Sequence, residues 1–473
     1  MALENVAVFP FGEMQSSYNV LDAALTEVGC NVSELEACDT AIVLLDAQGE
    51  AVFPALVPVL QSMLSRPLDV LLLVSLGEEQ GAHARAGATR GLRGLVRTLN
   101  FEYESTSIRL VEVTIGALTS VMARNVVCEL RGQTGSIVCQ YTAQQRFEIS
   151  LVDRPWPGVA RRGAGPGGFG ESERDALKID PDCVVVAVGG GRGITSQCLQ
   201  MLVGDRQPNV YIVGSTPVPE ESYIRKFAKC DDKKSVITQL ATELSNPAEI
   251  EKAAKLLMAQ REVLDTINTL KQRGVHVSYC QVDSTEDQEV RSFVREAVDH
   301  NSTIDILMYG AGITIDRRFA DVNPEDVNRT TSVKAGGLHT YLSCFDEFSR
   351  SPRLVVAFGS VAASAGNPGQ SAYSIANDAM EGILSKWSER HPKSHTVTIN
   401  WGPWARDSTH PGLVTPELSR VFKQRGLTPL APDDAARAFL TELAWGDSEI
   451  HSVTLVPDGW NTGRRSAFEK GSR

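Results

Sequence analysis

The sequence predicts an α/β protein built as two doubly wound parallel sheets in tandem, and three observations carry that prediction. Apolar, β-branched runs of strand length alternate with stretches of helical length through both halves of the chain, the pattern of parallel strands joined by crossover helices. The stretch WPGVARRGAGPGGFGESERD, residues 156–175, is rich in Gly, Pro and charge and lacks apolar periodicity, so it reads as a linker between 1–155 and 176–473. A glycine-rich turn follows a strand in the second half only.

In the first half the predicted strands are NVAVFPF (5–11), TAIVLL (40–45), LDVLLLVS (68–75) and SIRLVEVTI (107–115). Between the last two, GATRGLRGLVRTLNFEYES sets Leu92, Leu95, Val96 and Leu99 on one face, as a crossover helix requires. In the second half CVVVAV (183–188) is the continuous apolar run of a strand buried on both faces, and it enters GGGRGIT (189–195) and then the helical SQCLQML. NVYIVGS (209–215), HVSYCQVD (276–283), IDILMYG (304–310), RLVVAFGS (353–360), HTVTINWG (395–402) and HSVTLVP (451–457) complete seven strands. An insertion, residues 216–275, separates the second strand from the third. It contains a long amphipathic helix with Asn246 as N-cap, Pro247 at N1, Glu249 at the capping-box position and Gly274 as its stop. Ile250, Ala253, Ala254, Leu257, Leu264, Ile267 and Leu270 form its apolar stripe, which reads as core packing rather than a ligand face.

Composition excludes several classes. Of 473 residues, 42% are hydrophobic and 22% charged, an ordinary globular balance. A net charge of -12 and a pI near 5.3 argue against nucleic acid or an anionic membrane as the main partner. No apolar run reaches the roughly 18 residues that span a bilayer, and ALENVAVFPFGEM after Met1 has no leader character, so the expected location is cytoplasmic. Nine cysteines without a CxxC pair and eight histidines without HExxH spacing point to no disulfide framework and no metal site.

Two constellations carry chemistry. The glycines of GGGRGIT let the backbone turn tightly against a pyrophosphate at the N-terminus of the next helix. The second strand closes on Ser215 and Thr216 instead of an acid, and Arg192 lies in the glycine turn; a guanidinium and hydroxyls suit the 2'-phosphate of NADPH, which a carboxylate would repel. Asp283 is placed either to accept a bond from an adenine amine or to cap the next turn. The second constellation is Ser360, Tyr373 and Asn377, two hydroxyls that suit the developing alkoxide of a reduced carbonyl, with an amide one helical turn on. A tyrosine that gives up its proton calls for a nearby cation, and the position four residues after Tyr373 is not lysine.

With VGGGRGIT, YGAG (309–312), SVKAGGLHTYL (332–342), FGSVAASAGNPGQSAYSIAND (358–378) and NWGPWA (400–405), residues 183–460 resemble the β-ketoreductase domain of type I polyketide and fatty-acid synthases, a branch of the short-chain dehydrogenase/reductases. AGATRGLRGLVRTLNFE in the first half is similar to the truncated, cofactor-free structural subdomain of such domains. The glycine turn and the insertion look most like ketoreductases of polyunsaturated-fatty-acid and enediyne synthases. The resemblance implies two Rossmann-like subdomains, the first truncated and lacking a cofactor site. It supplies the missing cation as Lys334, from the helix after the fourth strand, beside Ser360, Tyr373 and Asn377. NADPH contacts are implied at Gly189, Gly191, Arg192, Gly193, Ile194, Ser215, Thr216, Asp283, Gly310, Ala311, Gly312 and Pro403. Substrate and stereochemical control are implied at Asp316 and Trp404: AGITID keeps only the last aspartate of the Leu-Asp-Asp signature of reductases that give the D (3R) alcohol, and Ala365 stands where L-forming relatives carry tryptophan.

The implied activity is NADPH-dependent reduction of a 3-ketoacyl thioester borne on the phosphopantetheine arm of an acyl carrier protein, alongside other domains of a parent synthase. Arg317, Arg318, Arg406, Arg420, Lys423 and Arg425 are candidate docking charges for that acidic carrier. Two rival readings are a stand-alone reductase of a free small ketone, against which residues 1–155 argue, and a silent scaffold domain, against which the complete Ser360, Tyr373 and Lys334 set argues. The chain departs from the family pattern at Val188, Thr195, Tyr309 and Gly359.

Overall fold

The computed structural model describes residues 5–12, 14–46, 52–77, 91–114, 117–131, 136–142, 145–153, 170–218, 221–230, 232–301, 303–405 and 428–457. In the first half β1 (Asn5–Phe11), β3 (Thr40–Asp46), β4 (Val70–Leu76) and β5 (Ser107–Val113) form where the apolar runs predict them. Three more strands, β2 (Asn31–Val32), β6 (Val138–Tyr141) and β7 (Arg146–Glu148), extend the sheet to the order β2-β1-β3-β4-β5-β6-β7. At two to four residues each they are too short to show a period, and β7 pairs antiparallel with β6 where every other pair in the sheet is parallel. α2 (Val52–Leu64) and α3 (Leu92–Glu102) cover one face of this sheet, while α1 (Gln15–Glu27) and α4 (Ser120–Arg131) cover the other.

The second sheet runs β10-β9-β8-β11-β12-β13-β14, entirely parallel, with β8 (Val184–Val188), β9 (Asn209–Gly214), β10 (His276–Gln281), β11 (Ile306–Tyr309), β12 (Leu354–Ser360), β13 (His395–Trp401) and β14 (Ser452–Leu455). The chain reverses direction across the sheet between β8 and β11, the switch point where open α/β sheets bind ligands beyond their strand ends. One face carries α6 (Gly193–Val203), the C-terminal half of α9 (Pro247–Gln272) and α15 (Pro432–Trp445). The other carries α10 (Asp287–Asn301), α12 (Gly337–Phe348) and α14 (Ser371–Arg390).

Two expectations need correction. Of the linker expected at 156–175, residues 156–169 lie outside the described residues, and its end is taken up by α5 (Glu171–Ala176); Gly170 N donates to Glu173 Oε2 at 2.8 Å, and a helix of six residues is too short for periodicity to reveal. In α9, capped as expected by Asn246 Oδ1 accepting from Ala248 N, Val263 is buried where the stripe places Leu264. The helix changes partners along its length. Ile250, Ala254 and Leu257 pack on α7 (Glu221–Lys226) and α8 (Lys233–Leu240) of the insertion, whereas Val263, Ile267 and Leu270 pack on the main sheet, so no single straight stripe serves both.

The two sheets are joined through α3 and α14. A Cβ on Gly94 would lie 2.5 Å from the Ser374 carbonyl oxygen, so only glycine allows the two helices this approach. Thr98 Oγ1 donates to Ser374 Oγ at 2.9 Å, and Gly94 N donates to Asp378 Oδ2 at 3.0 Å. Burial, offset only in part by Arg93, pushes the Asp378 carboxyl up to about 7. An unfolded aspartate ionises near ~4, so the folded chain holds a proton that the unfolded chain releases. The stability from this group is complete below about pH 4 and is lost as pH rises through about 7. Thermal unfolding of Asp378→Asn across that window should therefore decline less steeply than that of the native chain, and parallel pH profiles would refute this account.

Candidate functional site

The end of β8 meets α6 through a turn that glycine makes possible. Gly189 has φ +76, and a Cβ there would sit 2.9 Å from Ala311 N, in the backbone that follows β11. On Gly191 a Cβ would come 2.9 Å from Val263 Cγ2 of α9, which brings the insertion against the turn. Gly193, at φ +61, faces open space. Arg192, the N-cap, makes no side-chain cap, so the first amides of α6 and the positive end of its dipole are left to a ligand. This cradle fits the pyrophosphate of a dinucleotide. Thr195 is buried over Gly310, where a Cβ would overlap its hydroxyl, so the threonine fills room that Gly310 leaves.

At the adenosine side Arg192 and Ser215 are exposed, and Ile194, Thr216 and Ala311 are half-buried. Tyr279 Oη donates to the Thr216 carbonyl at 2.5 Å, and Gln260 Nε2 of α9 donates to the Pro217 carbonyl at 2.9 Å, which fixes the loop after β9. Asp283 Oδ1 accepts from Thr285 N at 2.9 Å and from Thr285 Oγ1 at 2.8 Å, so of its two expected roles the structure shows the turn. The Pro403 carbonyl accepts from Leu430 N at 2.7 Å.

Ser360 ends β12 and begins the short helix α13 (Val361–Ala365), where its Oγ accepts from Ala362 N at 3.2 Å. Asn400 Oδ1 accepts from Ser360 N at 3.1 Å and occupies the space a Cβ on Gly359 would need, so the glycine at 359 makes room for the amide that holds Ser360. Asn400 belongs to NWGPWA, and its link to Ser360 is a contact between neighbouring strands that the motif alone does not reveal.

Tyr373 lies in the first turn of α14, with the side chains of Asn377, Ser360 and Thr314 near its phenol, each favouring the ionised form. Burial outweighs their effect and holds the phenol above its usual value, with the Asp316 charge adding to the rise. The expectation that a cation lowers this group is thus not met in this structure: the groups that pull it down are neutral hydrogen-bonding side chains, and desolvation exceeds them. Thr314 is a further hydroxyl at the site, marked in the sequence only by its place in AGITID. Asn377 is fully buried, donates from Nδ2 to the Tyr373 carbonyl at 2.8 Å, and leaves Oδ1 without a partner.

Lys334 sits in a π-helical turn, Ser332–Gly336, between α11 (Pro324–Thr331) and α12. It is 4% exposed, and burial lowers its ammonium to about 8. Its Nζ lies 3.1 Å from where a Cβ on Gly312 would stand, so the glycine leaves the amine its place beside the strand end.

Asp316 is exposed and accepts from Gln370 Nε2 at 2.9 Å. Trp404, expected at the substrate groove, is 1% exposed and edge-on to Trp401 at 5.0 Å, with a backbone bridge to Leu430. Arg317 pairs with Asp326 at 3.0 Å and Arg318 is exposed; Arg406, Arg420, Lys423 and Arg425 lie outside the described residues. Among the described residues the nine cysteines are free, no His/Cys/Asp/Glu group could hold a metal ion, and no helix is long and apolar enough to cross a membrane.

A family model described as KR domain matches residues 183–406. A polyunsaturated fatty acid synthase polypeptide of Thraustochytrium sp. is 24% identical over 404 residues, which is 81% of this chain and 13% of that polypeptide. A solved ketoreductase from the first module of phoslactomycin biosynthesis in Streptomyces sp. HK803 superposes with a TM-score of 0.71 at 16% identity, covering 99% of this chain and 92% of that one. A ketoreductase domain from the bacillaene assembly line gives 0.68 at 16% identity over 98% and 95%. The two solved structures establish the fold.

Because Ser360 caps α13, Ser360→Ala should lower stability by about 1 kcal/mol, the usual worth of a lost N-cap. Ser360→Thr, which keeps a capping oxygen, should lose less. Chemical denaturation of the two variants measures the difference, and equal losses would contradict the capping role.

Proposed function

We propose, on the premise that residues 183–406 belong to the β-ketoreductase (KR) domains of type I polyketide synthases, that the chain reduces a 3-ketoacyl thioester to its 3-hydroxyacyl product with NADPH. The observation that carries this reading is the convergence of Ser360, Thr314 and Asn377 on Tyr373 at the strand ends, with buried Lys334 beside Gly312. When bound, NADPH supplies the hydride that reaches the β-carbonyl carbon. The pyrophosphate would rest on Gly189, Gly191, Gly193 and the first turn of α6, with Ile194, Gly310, Ala311, Gly312 and Pro403 around the cofactor. Arg192, Ser215 and Thr216 would take the 2'-phosphate, and Asp283 would lie at the adenine.

Tyr373 donates the proton to the carbonyl oxygen as it becomes an alkoxide, while the Ser360 hydroxyl donates a hydrogen bond to the same oxygen. A phenol held above its usual pKa is fully protonated at neutral pH, the state a proton donor must have. Lys334, with its ammonium near 8, can return a proton to the tyrosine, and the free Oδ1 of Asn377 is an acceptor for that ammonium or for a water between them.

The substrate is read as a chain on the phosphopantetheine arm of an acyl carrier protein, delivered within a synthase whose other domains are further partners. Asp316, the retained signature residue, points to the D (3R) alcohol. The chain spans only 13% of the synthase polypeptide that it matches over most of its own length.

Tyr373→Phe should fold, bind NADPH and lose about 100-fold or more in turnover of a 3-ketoacyl thioester, the usual scale for a lost donor to the oxyanion. Following NADPH oxidation with carrier-bound and then free 3-keto substrates tests the activity and its preference together. Near-native turnover by the variant would overturn the assignment of Tyr373. Chiral chromatography of the native product should give the 3R alcohol, and a predominantly 3S product would reject the reading of Asp316.

A further inference from the structure

One buried tyrosine that the mechanism does not use stands directly behind Lys334. Tyr309 ends β11, is 0% exposed, and stands where the resembling family commonly has asparagine or histidine. Its hydroxyl donates to the main-chain carbonyl of Val333 at 2.5 Å. Val333 lies in the π turn Ser332–Gly336 and immediately precedes Lys334. The hydroxyl reaches this carbonyl through the space that Gly337 leaves, since a Cβ there would overlap the Tyr309 oxygen and would also stand 2.9 Å from Ser284 Cβ. The ring itself is fixed edge-on against Tyr341 at 5.9 Å, with 62° between the planes.

The π turn matters because α11 and α12 otherwise follow one another as a continuous right-handed helix: Thr331, Gly336 and Gly337 all keep α-helical backbone angles. Such a turn holds one residue more than α-helical geometry accommodates, and it persists where something outside the helix supports the widened backbone. Relaxing it to an α-helix would rotate every residue on one side of it by about 100°, the angular step of one residue. Lys334, now 4% exposed, would be carried away from Gly312.

We propose that Tyr309 is a positioning residue for Lys334: its bond to the Val333 carbonyl keeps the π turn open and thereby holds the amine inward beside Gly312. The proposal rests on the catalytic reading of Lys334 for its consequence in turnover, but the position of the amine can be measured independently of any reaction. Tyr309→Phe removes only the hydroxyl. Brief acetylation of the full chain with an N-hydroxysuccinimide acetate, repeated across pH and followed by peptide mass spectrometry, gives for each lysine the limiting rate of its neutral amine, which reads accessibility against exposed Lys271.

In the native chain Lys334 should be acetylated at least 10-fold more slowly than Lys271, and in Tyr309→Phe the two rates should approach each other. Turnover should fall about 10-fold or more while KM for the 3-ketoacyl thioester changes little, because the substrate contacts remain. Gly337→Ala, which pushes the Tyr309 hydroxyl from its seat with the tyrosine intact, should reproduce both changes, and it decides the matter if Tyr309→Phe does not fold. Faster labelling of Lys334 with native turnover would support the positioning role and refute the catalytic reading of Lys334. Protection of Lys334 unchanged in the folded variants would overturn the proposal.

Discussion

The rest of the molecule depends on a place where no side chain fits. The backbone of α3 at Gly94 lies against the Ser374 carbonyl, one residue past Tyr373, and this contact brings the first sheet's helix directly onto the helix that carries the site. Around it the first half of the chain grips both loops that flank Tyr373. Glu102 accepts from Phe319 N at 2.6 Å and Gly369 N at 2.9 Å, while the Arg97 guanidinium donates to the Ala363 carbonyl at 3.0 Å. The apolar core is shared in the same way, since Phe319, Val322, Val327, Ala372 and Ile375 pack into the cluster built from α2, α3 and their sheet. Phe319, Val322, Val327 and Ile375 each contribute about 1.5–3 kcal/mol when fully buried, so the alignment of α14 is stabilised by packing from a sheet that contributes no strand end to the site.

Burial also sets the electrical character of the site. It raises Tyr373 and lowers Lys334, so both groups move toward their neutral forms, and the two shifts have one cause. A neutral phenol is a competent donor to an alkoxide, and a lysine near 8 is a competent source for replacing that proton, whereas at its ordinary value the ammonium would be a poorer acid for that task. Ser360, Thr314 and Asn377, all neutral, lie near the phenol and offset part of that rise without reversing it.

Much of this was legible in the sequence. The long strands, the crossover helix on Leu92, Leu95, Val96 and Leu99, and the capped insertion helix all announce themselves through period and caps, because each is long enough to repeat its pattern. Strands of two to four residues and the six-residue α5 have no pattern to repeat, and they form because neighbours supply their bonds. The α9 stripe misled at Leu264 because a helix that serves two cores turns its buried face between them. Trp404 shows a related limit: a motif gives its residue type, while its burial edge-on to Trp401 comes from the fold.

The departures from the family pattern show most clearly what a linear reading leaves out. Taken singly, Thr195 where the resembling family has glycine and Tyr309 where it commonly has asparagine or histidine suggest a weakened cofactor site, while Gly359, where a serine is frequent, leaves Ser360 at its spacing. In the folded chain each has a partner distant in sequence. Thr195 fills the space over Gly310, Gly359 admits the Asn400 amide that holds Ser360, and the Tyr309 hydroxyl enters the gap at Gly337. In each case a glycine leaves the room that the partner side chain fills, as the packing density of a protein interior requires. A linear motif shows neither half of such a pair, because the two positions lie apart in sequence and meet only in the folded chain.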